Sequence, residues 1–407
     1  MRHGMTTTSL FKQSQAHSPS FFSVMRAMGQ NAGDLADFCI PCNPYFPTDE
    51  MFDTLQRNLR TILKFYPSDA GAITAQLASV LRLNPSTISL ANGSTELITW
   101  IDRLLVDSSV AVPIPTFGRW TDQPMETGKR VDMFLLKEAN NFELRIDEYI
   151  DFIKRRGSRV AVLCNPNNPD GGYMPKREVI RFMDALEDLD LVVIDESFID
   201  FVEVEMNPSV AAEAVVRPNV IVLKSLGKNF GLHGIRFGYQ IANPALTRKI
   251  ASALPKWNLN SIAETVIFML AEHRTEYEES LKRLALDRFM MNSQLARFPE
   301  LTVYPSQANF LLVKLPGHLD GAELCDYLLS EHHLLVRQCG NKIGMTSQFM
   351  RFGVRPDTEV DRLVEGLRGV ERLGNSGGGH SGGHGGGHHT PTMELVSHSR
   401  DIERSIS

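Results

Sequence analysis

The spacing of hydrophobic residues predicts alternating strands and helices between about residues 50 and 260. PTDEMFDTLQRNLRTILKF has apolar residues at helical spacing and an N-cap candidate at Thr48. TISLANGSTELITWIDRLL reads as a strand, a tight turn and a helix. Four more segments begin with a short apolar run and end in polar residues, Pro or Gly: SSVAVPIPTF, RVAVLCNPNNPDGG, LDLVVIDESFIDF and NVIVLKSLGKNF.

Continuous apolar runs are typical of strands that are buried on both faces. The pattern therefore predicts an α/β fold in which helices cover both sides of a mostly parallel sheet. In open sheets of this kind, ligands bind beyond the carboxyl ends of the strands. We expect the polar endings of these five strands to face one crevice.

The pattern changes after about residue 260, where longer helical segments precede LTVYPSQANFLLVKL and a final helix, and this predicts a smaller α+β domain. The predicted organisation is a flexible leader over 1–34, an arm over 35–50 that packs with the small domain, a large domain over 51–262, a small domain over 263–373, and a disordered Gly- and His-rich tail over 374–407. The tail histidines have three interpretations: divalent metal binding, a solubilising tail or a purification element. They are His380, His384, His388 and His389.

Composition narrows the choice of partners. The chain has 407 residues, 43% of them hydrophobic and 22% charged, and a net charge of −6. An ordinary globular composition with an acidic total argues against nucleic acid or an anionic membrane as the main partner. No apolar run approaches the ~20 residues that span a bilayer.

Cysteine usage predicts a reducing, cytoplasmic location, because the chain has only five cysteines. Two of them, Cys39 and Cys42, form CIPC. A redox or zinc role competes here with two small buried residues in a loop. No second ligand pair has similar spacing, so we predict no metal site.

The segment LKSLGKNFGLHGIRFGYQIAN places Lys228 among glycine and apolar residues. Burial lowers the pKa of a lysine, which suits a covalent bond to a carbonyl group, although lysines also extend their charge out of buried positions. Asp195 ends an apolar strand, and a buried carboxylate needs a partner such as a protonated pyridine nitrogen.

Other strand ends supply groups for a flat, phosphorylated ring. Asn168 is a candidate donor to a phenolate oxygen, and Phe117 is placed to stack on a ring. The N-terminus of a predicted helix suits a phosphate, and its residues are Gly93, Ser94 and Thr95. Together, these groups describe a receptor for pyridoxal 5′-phosphate (PLP).

Over roughly residues 35–370 the chain resembles the fold-type I PLP-dependent enzymes of aminotransferase class I/II. Their pattern of Ser-x-x-Lys followed by Gly-x-Arg stands here as Ser225, Lys228 and Gly234-Ile235-Arg236. The resemblance implies a PLP-transferase fold like that of aspartate aminotransferase, with Lys228 bonded to the cofactor aldehyde. It implies that Ser225 and Arg236 bind the cofactor phosphate, and that Asn168 and Asp195 contact O3′ and the pyridine nitrogen.

The same resemblance implies a homodimer with shared active sites, because Tyr66 matches a tyrosine that reaches the neighbouring subunit's cofactor phosphate. Arg351 matches the arginine that binds the substrate α-carboxylate. Arg337 matches a phosphate-binding arginine of the histidinol-phosphate aminotransferase and threonine-phosphate decarboxylase branches, and Arg355 is a third candidate. Exposed salt bridging is the alternative for Arg337 and Arg355. The implied substrate is a small anionic amine, phosphorylated or phosphono.

Phe198 stands where the aminotransferase branches carry a tyrosine that donates to O3′. The threonine-phosphate decarboxylase branch tolerates phenylalanine at this position. Transamination is slightly favoured because its subfamilies are larger, and decarboxylation of an O-phospho-amino acid is the alternative. A binding protein that has lost catalysis is a third hypothesis, which the intact lysine, aspartate and arginines disfavour.

Overall fold

The computed structural model describes residues 21–28 and 34–376, and it shows an α/β protein with a large and a small sheet. In chain order, its helices and strands are α1 (Phe21–Met28), β1 (Ala36–Asp37), α2 (Asp49–Lys64), α3 (Ala70–Leu81), β2 (Ile88–Ala91), α4 (Ser94–Leu105), β3 (Ser109–Ile114), α5 (Arg119–Glu126), β4 (Arg130–Leu135), α6 (Ile146–Arg156), β5 (Val160–Cys164), α7 (Lys176–Ala185), β6 (Leu191–Asp195), α8 (Ala211–Ala214), β7 (Val220–Ser225), α9 (Leu226–Asn229), β8 (Gly238–Ala242), α10 (Pro244–Ala251), α11 (Ser261–Met269), α12 (Arg274–Leu295), β9 (Thr302–Val303), β10 (Phe310–Lys314), α13 (Gly321–His332), β11 (Leu334–Leu335), β12 (Arg337–Gln338), β13 (Phe349–Gly353) and α14 (Asp357–Ser376). Within these residues, 3₁₀ turns lie at Pro85–Thr87, Glu138–Asn140, Ile199–Phe201 and His233–Ile235.

The large sheet has seven strands in the order β2-β8-β7-β6-β5-β3-β4. Six strands run in one direction and only β8 runs in the other, so the prediction of a mostly parallel sheet is confirmed. Every residue of β3, β5, β6 and β7 is buried. Alternate residues of β5 and β6 belong to two different apolar cores, one on each face of the sheet. The continuous apolar runs therefore reflect helices packed on both faces.

Helix starts follow from local chemistry. Thr48 caps α2, because its side-chain oxygen accepts a hydrogen bond from the backbone N–H of Met51 at 3.3 Å. Asp49 and Glu50 occupy the first turn, where negative charge stabilises the positive end of the helix dipole. The N-cap predicted at Thr48 is therefore present.

The small sheet is antiparallel, with the order β12-β13-β10-β9. Its apolar core includes buried residues of α12, α13 and α14. Arg337 of β12 lies directly opposite Arg351 of β13. Because residues that lie opposite each other in antiparallel strands have side chains on the same face, this register brings two arginines together.

The N-terminal arm is attached to the small domain. Strand β1 pairs in parallel with β11, with Ala36 opposite Leu334. The Gly353 N–H donates to the Phe38 carbonyl at 2.7 Å. Helix α1 lies within the predicted flexible leader, and Val24 on this helix is fully buried in the small-domain core. The apolar residues of FFSVM give this segment a face to bury, which differs from the expected flexibility.

Within residues 21–28 and 34–376, no helix is long and apolar enough to cross a membrane. Residues 374–376, the first three of the predicted disordered tail, belong to helix α14. The rest of the predicted tail, with its four histidines, lies outside the described residues.

Candidate active site

Lys228 lies in the short helix α9, immediately after β7. Its Nζ is 4.0 Å from the centre of the Phe198 ring and 5.5 Å from the centre of the Phe117 ring. Burial lowers the pKa of Lys228 to about 8; the Asp195 carboxylate opposes this shift and the Arg351 guanidinium adds to it. About one-tenth of the amine is therefore uncharged at pH 7, far more than for an ordinary lysine, and the uncharged form is the one that attacks a carbonyl group.

Asp195 is the last residue of β6 and is buried. One carboxylate oxygen, Oδ2, accepts a hydrogen bond from Trp120 Nε1 at 2.9 Å. The other, Oδ1, accepts from the backbone N–H and the hydroxyl of Ser197, at 3.0 and 2.6 Å. These donors fix the orientation of the carboxylate. Sequence reasoning missed Trp120, although its position in PTFGRW, three residues after Phe117, was the available signal.

A buried ion pair links the ends of β6 and β7. Lys224 Nζ lies 3.0 Å from Glu196 Oε2 and 3.6 Å from Asp200 Oδ1. Burial alone would lower the pKa of Lys224, but the two carboxylates outweigh it and raise the pKa. The pair lies next to Asp195 and Ser225 in sequence, so it stabilises the relative positions of the strand ends that carry the site.

The N-terminus of α4 lines a concave surface that we call the phosphate cup, formed by Gly93, Ser94, Thr95 and Arg236. Its shape requires glycine at positions 93 and 238. Gly93 has φ of +84°, and a Cβ there would lie 2.6 Å from Nη2 of Arg236. A Cβ on Gly238 would lie 2.4 Å from the N of Ser94. In the sheet, Gly238 stands between Ala91 and Ser225. The two glycines therefore let Arg236 and the end of β7 approach the helix start closely.

This cup fits a phosphate. The first N–H groups of α4 have no intrahelical partners, and Thr95 lies beside Ser94 in the first turn. The Arg236 guanidinium adds a positive charge next to Gly93. Together with the Asp195 carboxylate and the Lys228 amine, these groups match the phosphate, the pyridine nitrogen and the aldehyde of PLP.

Asn168 and Arg351 meet across the boundary between the large and small domains. Asn168 Oδ1 accepts a hydrogen bond from Arg351 Nη1 at 2.9 Å, and Arg351 Nη2 donates to the Cys39 carbonyl at 2.8 Å. Among the described residues, Nε of Arg351 has no hydrogen-bond partner. Burial, and then the charge of Arg337, lowers the pKa of Arg351 to about 10. An anionic ligand would relieve both the repulsion and the unmade hydrogen bond.

Phe198 has no hydroxyl to offer at this position. Its ring packs edge-on against Phe310, with 5.0 Å between the ring centres, and it is almost completely buried. The surface that Phe198 presents to Lys228 is therefore purely apolar. It contributes to the desolvation that lowers the pKa of the lysine.

Arg355 was predicted to be a third arginine that binds the substrate. In the structure, its N–H groups donate to backbone carbonyls instead. Its Nη1 donates to the Val354 carbonyl at 2.8 Å. Its Nη2 donates to the carbonyls of Asp37 and Ile40 in the arm. Arg355 and Arg337 are both buried, which argues against exposed salt bridging for either. The contacts of Arg355 hold the arm against the small domain.

Lys342 is a cation that sequence reasoning missed. It is only 8% exposed, and its Nζ donates to the Thr116 carbonyl at 2.7 Å. Burial, and then the charge of Arg337, lowers the pKa of Lys342 to about 7. It lines a cavity of about 260 Å³ with Arg337 and Asp122. The only available signal was its place in CGNKIG, five residues after Arg337.

Tyr66 lies apart from these groups in the single chain. It is 87% exposed, and its ring centre is 5.9 Å from that of Trp257. Cys39 and Cys42 are not joined by a disulfide, and the described part of the chain contains no group of three or more histidine, cysteine, aspartate or glutamate side chains suited to a metal.

The family model for aminotransferase class I and II matches residues 37–367. The chain belongs to this family. Its members are PLP-dependent enzymes, so the expected fold, cofactor and enzymatic character are confirmed. An uncharacterized protein, y4rO, of Sinorhizobium fredii is 35% identical over 81% of the chain, which spans only 53% of that relative's length.

This chain spans most of the length of two further proteins that it resembles. An L-serine phosphate decarboxylase of Sulfurospirillum multivorans is 30% identical, over 87% of this chain and 93% of the relative. The crystal structure of a histidinol-phosphate aminotransferase from Clostridium acetobutylicum aligns with a TM-score of 0.75 and 26% identity, over 83% of this chain and all of that one. Both branches named by the sequence resemblance are therefore represented.

Proposed function

We propose that the chain acts with PLP on a small amino acid that carries a phosphate or phosphonate group, and that it releases the α-carboxylate as CO₂. The cofactor supplies an electron sink for the pair left on Cα when a bond there breaks. The rest of the chemistry falls to residues of the chain.

Each site residue has a proposed task. Lys228 bonds to the cofactor and delivers a proton to Cα after CO₂ leaves. Asp195, oriented by Trp120, pairs with the protonated pyridine nitrogen. Asn168 donates to O3′, and Phe117 stacks on the ring.

The phosphate cup at the start of α4 would bind the phosphate of the cofactor. Gly93, Ser94, Thr95, Ser225 and Arg236 would bind it through backbone N–H groups, hydroxyls and the guanidinium.

The observation that carries the choice of decarboxylation is Phe198. Its ring centre is 4.0 Å from Lys228 Nζ, where the transaminating branches have a hydroxyl. The L-serine phosphate decarboxylase relative, whose length this chain almost spans, supports the same choice. Transamination remains the second candidate. It is supported by the likeness to the histidinol-phosphate aminotransferase structure and was slightly favoured by the sequence.

The test is turnover of O-phospho-L-serine, O-phospho-L-threonine and histidinol phosphate by the PLP-loaded protein, with L-serine as the unphosphorylated control. Decarboxylation predicts one CO₂ for each O-phospho-amino acid consumed, with the absorbance of the pyridoxal form retained. Conversion to the pyridoxamine form without CO₂ would reject decarboxylation in favour of transamination. In the matched variant Phe198→Tyr, we expect a larger share of pyridoxamine product, because the hydroxyl donor is restored.

We also propose a homodimer with shared sites. Exposed apolar side chains cluster around the end of α2 and the segment before α11: Leu59, Leu63, Phe65, Tyr66 and Trp257. A patch of this kind on a protein surface marks an interface. Light scattering should give twice the mass of one chain, and Tyr66→Phe should weaken PLP binding by removing a hydroxyl that the partner's phosphate needs. A monomeric mass at full activity would reject the dimer.

The five cysteines lie within the described residues and form no disulfide there, which supports our proposal of a reducing, cytoplasmic location.

A further inference from the structure

A cavity of about 260 Å³ lies next to the proposed ring-stacking residue. Thr116, Gly118, Thr121 and Asp122 line it from the loop and helix that follow β3, and Arg337 and Lys342 line it from the small domain. It therefore lies between the two domains. Its volume suits a small polar group rather than a second large ligand.

Lys342 is held at the wall of this cavity. Its Nζ donates to the Thr116 carbonyl at 2.7 Å. Thr116 in turn donates its hydroxyl to Asn167 Oδ1 at 2.7 Å, and Asn167 donates to the Pro115 carbonyl at 2.9 Å. In the part of the chain that the structure describes, no carboxylate forms an ion pair with Lys342. Lys342 is thus held by a neutral carbonyl oxygen, and with a pKa of about 7 it is only partly charged in the ligand-free protein.

Three buried cations converge on this side of the site: Arg337, Lys342 and Arg351. Arg337 lowers the pKa of both others, so their charges repel one another. Buried like charges are costly unless a ligand of opposite charge compensates them. An O-phospho-amino acid carries one carboxylate and a phosphate of about −1.5 to −2. A phosphate beside Lys342 would favour the protonated amine, so the anion would nearly match three positive charges.

We propose that Lys342, together with Arg337, binds the phosphate or phosphonate group of the substrate in this cavity, and that Lys342 sets the preference for phosphorylated over unphosphorylated amino acids. The inference rests on the proposed function and adds to it. It leaves Arg351 for the α-carboxylate and gives Lys342 the place that the sequence had assigned to Arg355.

A purely structural role is the competing explanation, because the Lys342 contact to Thr116 joins the two domains. Lys314 provides a matched control. It lies on β10, and its Nζ is 2.6 Å from Glu138 Oε1 on the other side of the same boundary, away from the cavity. Its removal tests the loss of an interdomain lysine without touching the proposed subsite.

The experiment compares binding of phosphoglycolate and glycolate to PLP-loaded protein by titration calorimetry. Neither probe has an amine, so neither reacts with the cofactor. Lys342→Met should raise the Kd of phosphoglycolate about tenfold or more, since a hydrogen bond to a charged group is lost. Glycolate binding should stay within about twofold. Lys342→Arg should retain most of the phosphoglycolate affinity, and Lys314→Met should match the wild type with both probes.

Substitution of Asp122 should change the affinity for phosphoglycolate in the opposite direction. Its half-buried carboxylate lines the cavity, and Asp122→Asn should tighten phosphoglycolate binding, because a like charge is removed. Equal loss of both probes in Lys342→Met, or wild-type phosphoglycolate affinity in that variant, would overturn the inference. So would weaker phosphoglycolate binding in Asp122→Asn.

Turnover separates this inference from the proposed function. If the wild type releases CO₂ from O-phospho-L-serine while Lys342→Met keeps the wild-type KM, the function stands and the role of Lys342 fails. If no phosphorylated amino acid is turned over but phosphoglycolate binding still depends on Lys342, the reaction fails and the anion subsite stands.

Discussion

Charged side chains have different partners in two regions of the site. The cofactor edge is the set of strand ends in the large sheet around Asp195 and Lys228, and the substrate face is the part of the small domain around Arg351 and Lys342. At the cofactor edge, Asp195 accepts from Trp120 and Ser197, and Lys224 pairs with Glu196. On the substrate face, Arg351 and Lys342 donate to neutral amide and carbonyl oxygens rather than to carboxylates. The first region is organised before any ligand arrives, whereas the second retains positive charge that a substrate anion would compensate.

This contrast has an energetic consequence. A carboxylate held by several donors is preorganised, so it stabilises developing charge without rearrangement. A buried cation that is held by neutral oxygens, such as Arg351, destabilises the ligand-free protein. Binding of an anion removes this destabilisation and thereby contributes to the affinity for anions. Substitutions at the cofactor edge should therefore affect chemistry and cofactor retention, and those on the substrate face should affect substrate affinity.

The largest effect is expected for Lys228→Ala at the cofactor edge. Without this amine, no covalent link to PLP forms and no group delivers the proton at Cα, so activity should fall by roughly 10²–10⁴-fold or more. The check is the absorbance of the cofactor–lysine link and mass spectrometry after borohydride reduction. Lys314→Ala should leave both intact; a reducible adduct that survives in Lys228→Ala would remove Lys228 from its role.

The next effect is expected for Arg351→Lys on the substrate face. Lysine cannot form the planar fork, and it cannot contact Asn168, Cys39 and a carboxylate together. We expect kcat/KM to fall by roughly 10–100-fold, with PLP affinity close to the wild type. Steady-state kinetics and cofactor titration measure both. Arg159→Lys, at an exposed ion pair with Asp190, is the control; loss of PLP affinity in Arg351→Lys would remove the distinction between the two regions.

A smaller effect is expected for Gly93→Ala in the phosphate cup, with Gly128→Ala as its control. Both glycines have positive φ, at +84° and +77°, but only a Cβ at Gly93 meets Arg236. Gly128→Ala should lower the free energy of unfolding by about 1–2 kcal/mol because of its positive φ alone. Gly93→Ala should lower it further, because its Cβ would also clash with Arg236. Only Gly93→Ala should also weaken PLP binding, as measured by cofactor titration. Equal PLP affinities in the two variants would argue against a phosphate in the cup.

The smallest effect is the pH dependence of PLP loading. The pKa of Lys228 is lowered to about 8, so its uncharged fraction rises from about one-tenth at pH 7 to about nine-tenths at pH 9. The rate of covalent loading of cofactor-free protein should rise about tenfold over this range, since only the uncharged amine attacks the aldehyde. Stopped-flow absorbance measures this rate. Lys342→Met should keep the same profile, and a flat profile would contradict a titrating Lys228.

Sequence reasoning reached the cofactor edge more completely than the substrate face. Lys228, Asp195 and Gly93 each lie at or just after the end of a strand with a recognisable apolar run, so their placement follows from local pattern. Trp120 was missed because a tryptophan on an amphipathic helix looks like ordinary core. Its bond to Asp195 joins residues 75 positions apart.

On the substrate face, the predictions depended on contacts that no local pattern specifies. Arg355 resembled Arg351 in sequence, yet its guanidinium binds an arm 318 residues away. Lys342 resembled a surface lysine, yet it contacts Thr116, which is 226 residues distant. Burial and partner choice for these cations follow from how the two domains and the arm meet.

The chain alone determined the order of strands and helices, the capped start of α2 and the cluster of polar groups at the ends of the large-sheet strands. These features depend on periodicity and on neighbours within a few residues. Tertiary structure decided which cations face the site, because strand register places Arg337 opposite Arg351 and domain packing buries Lys342. A charge acquires its function from its surroundings, and here those surroundings come from distant parts of the chain.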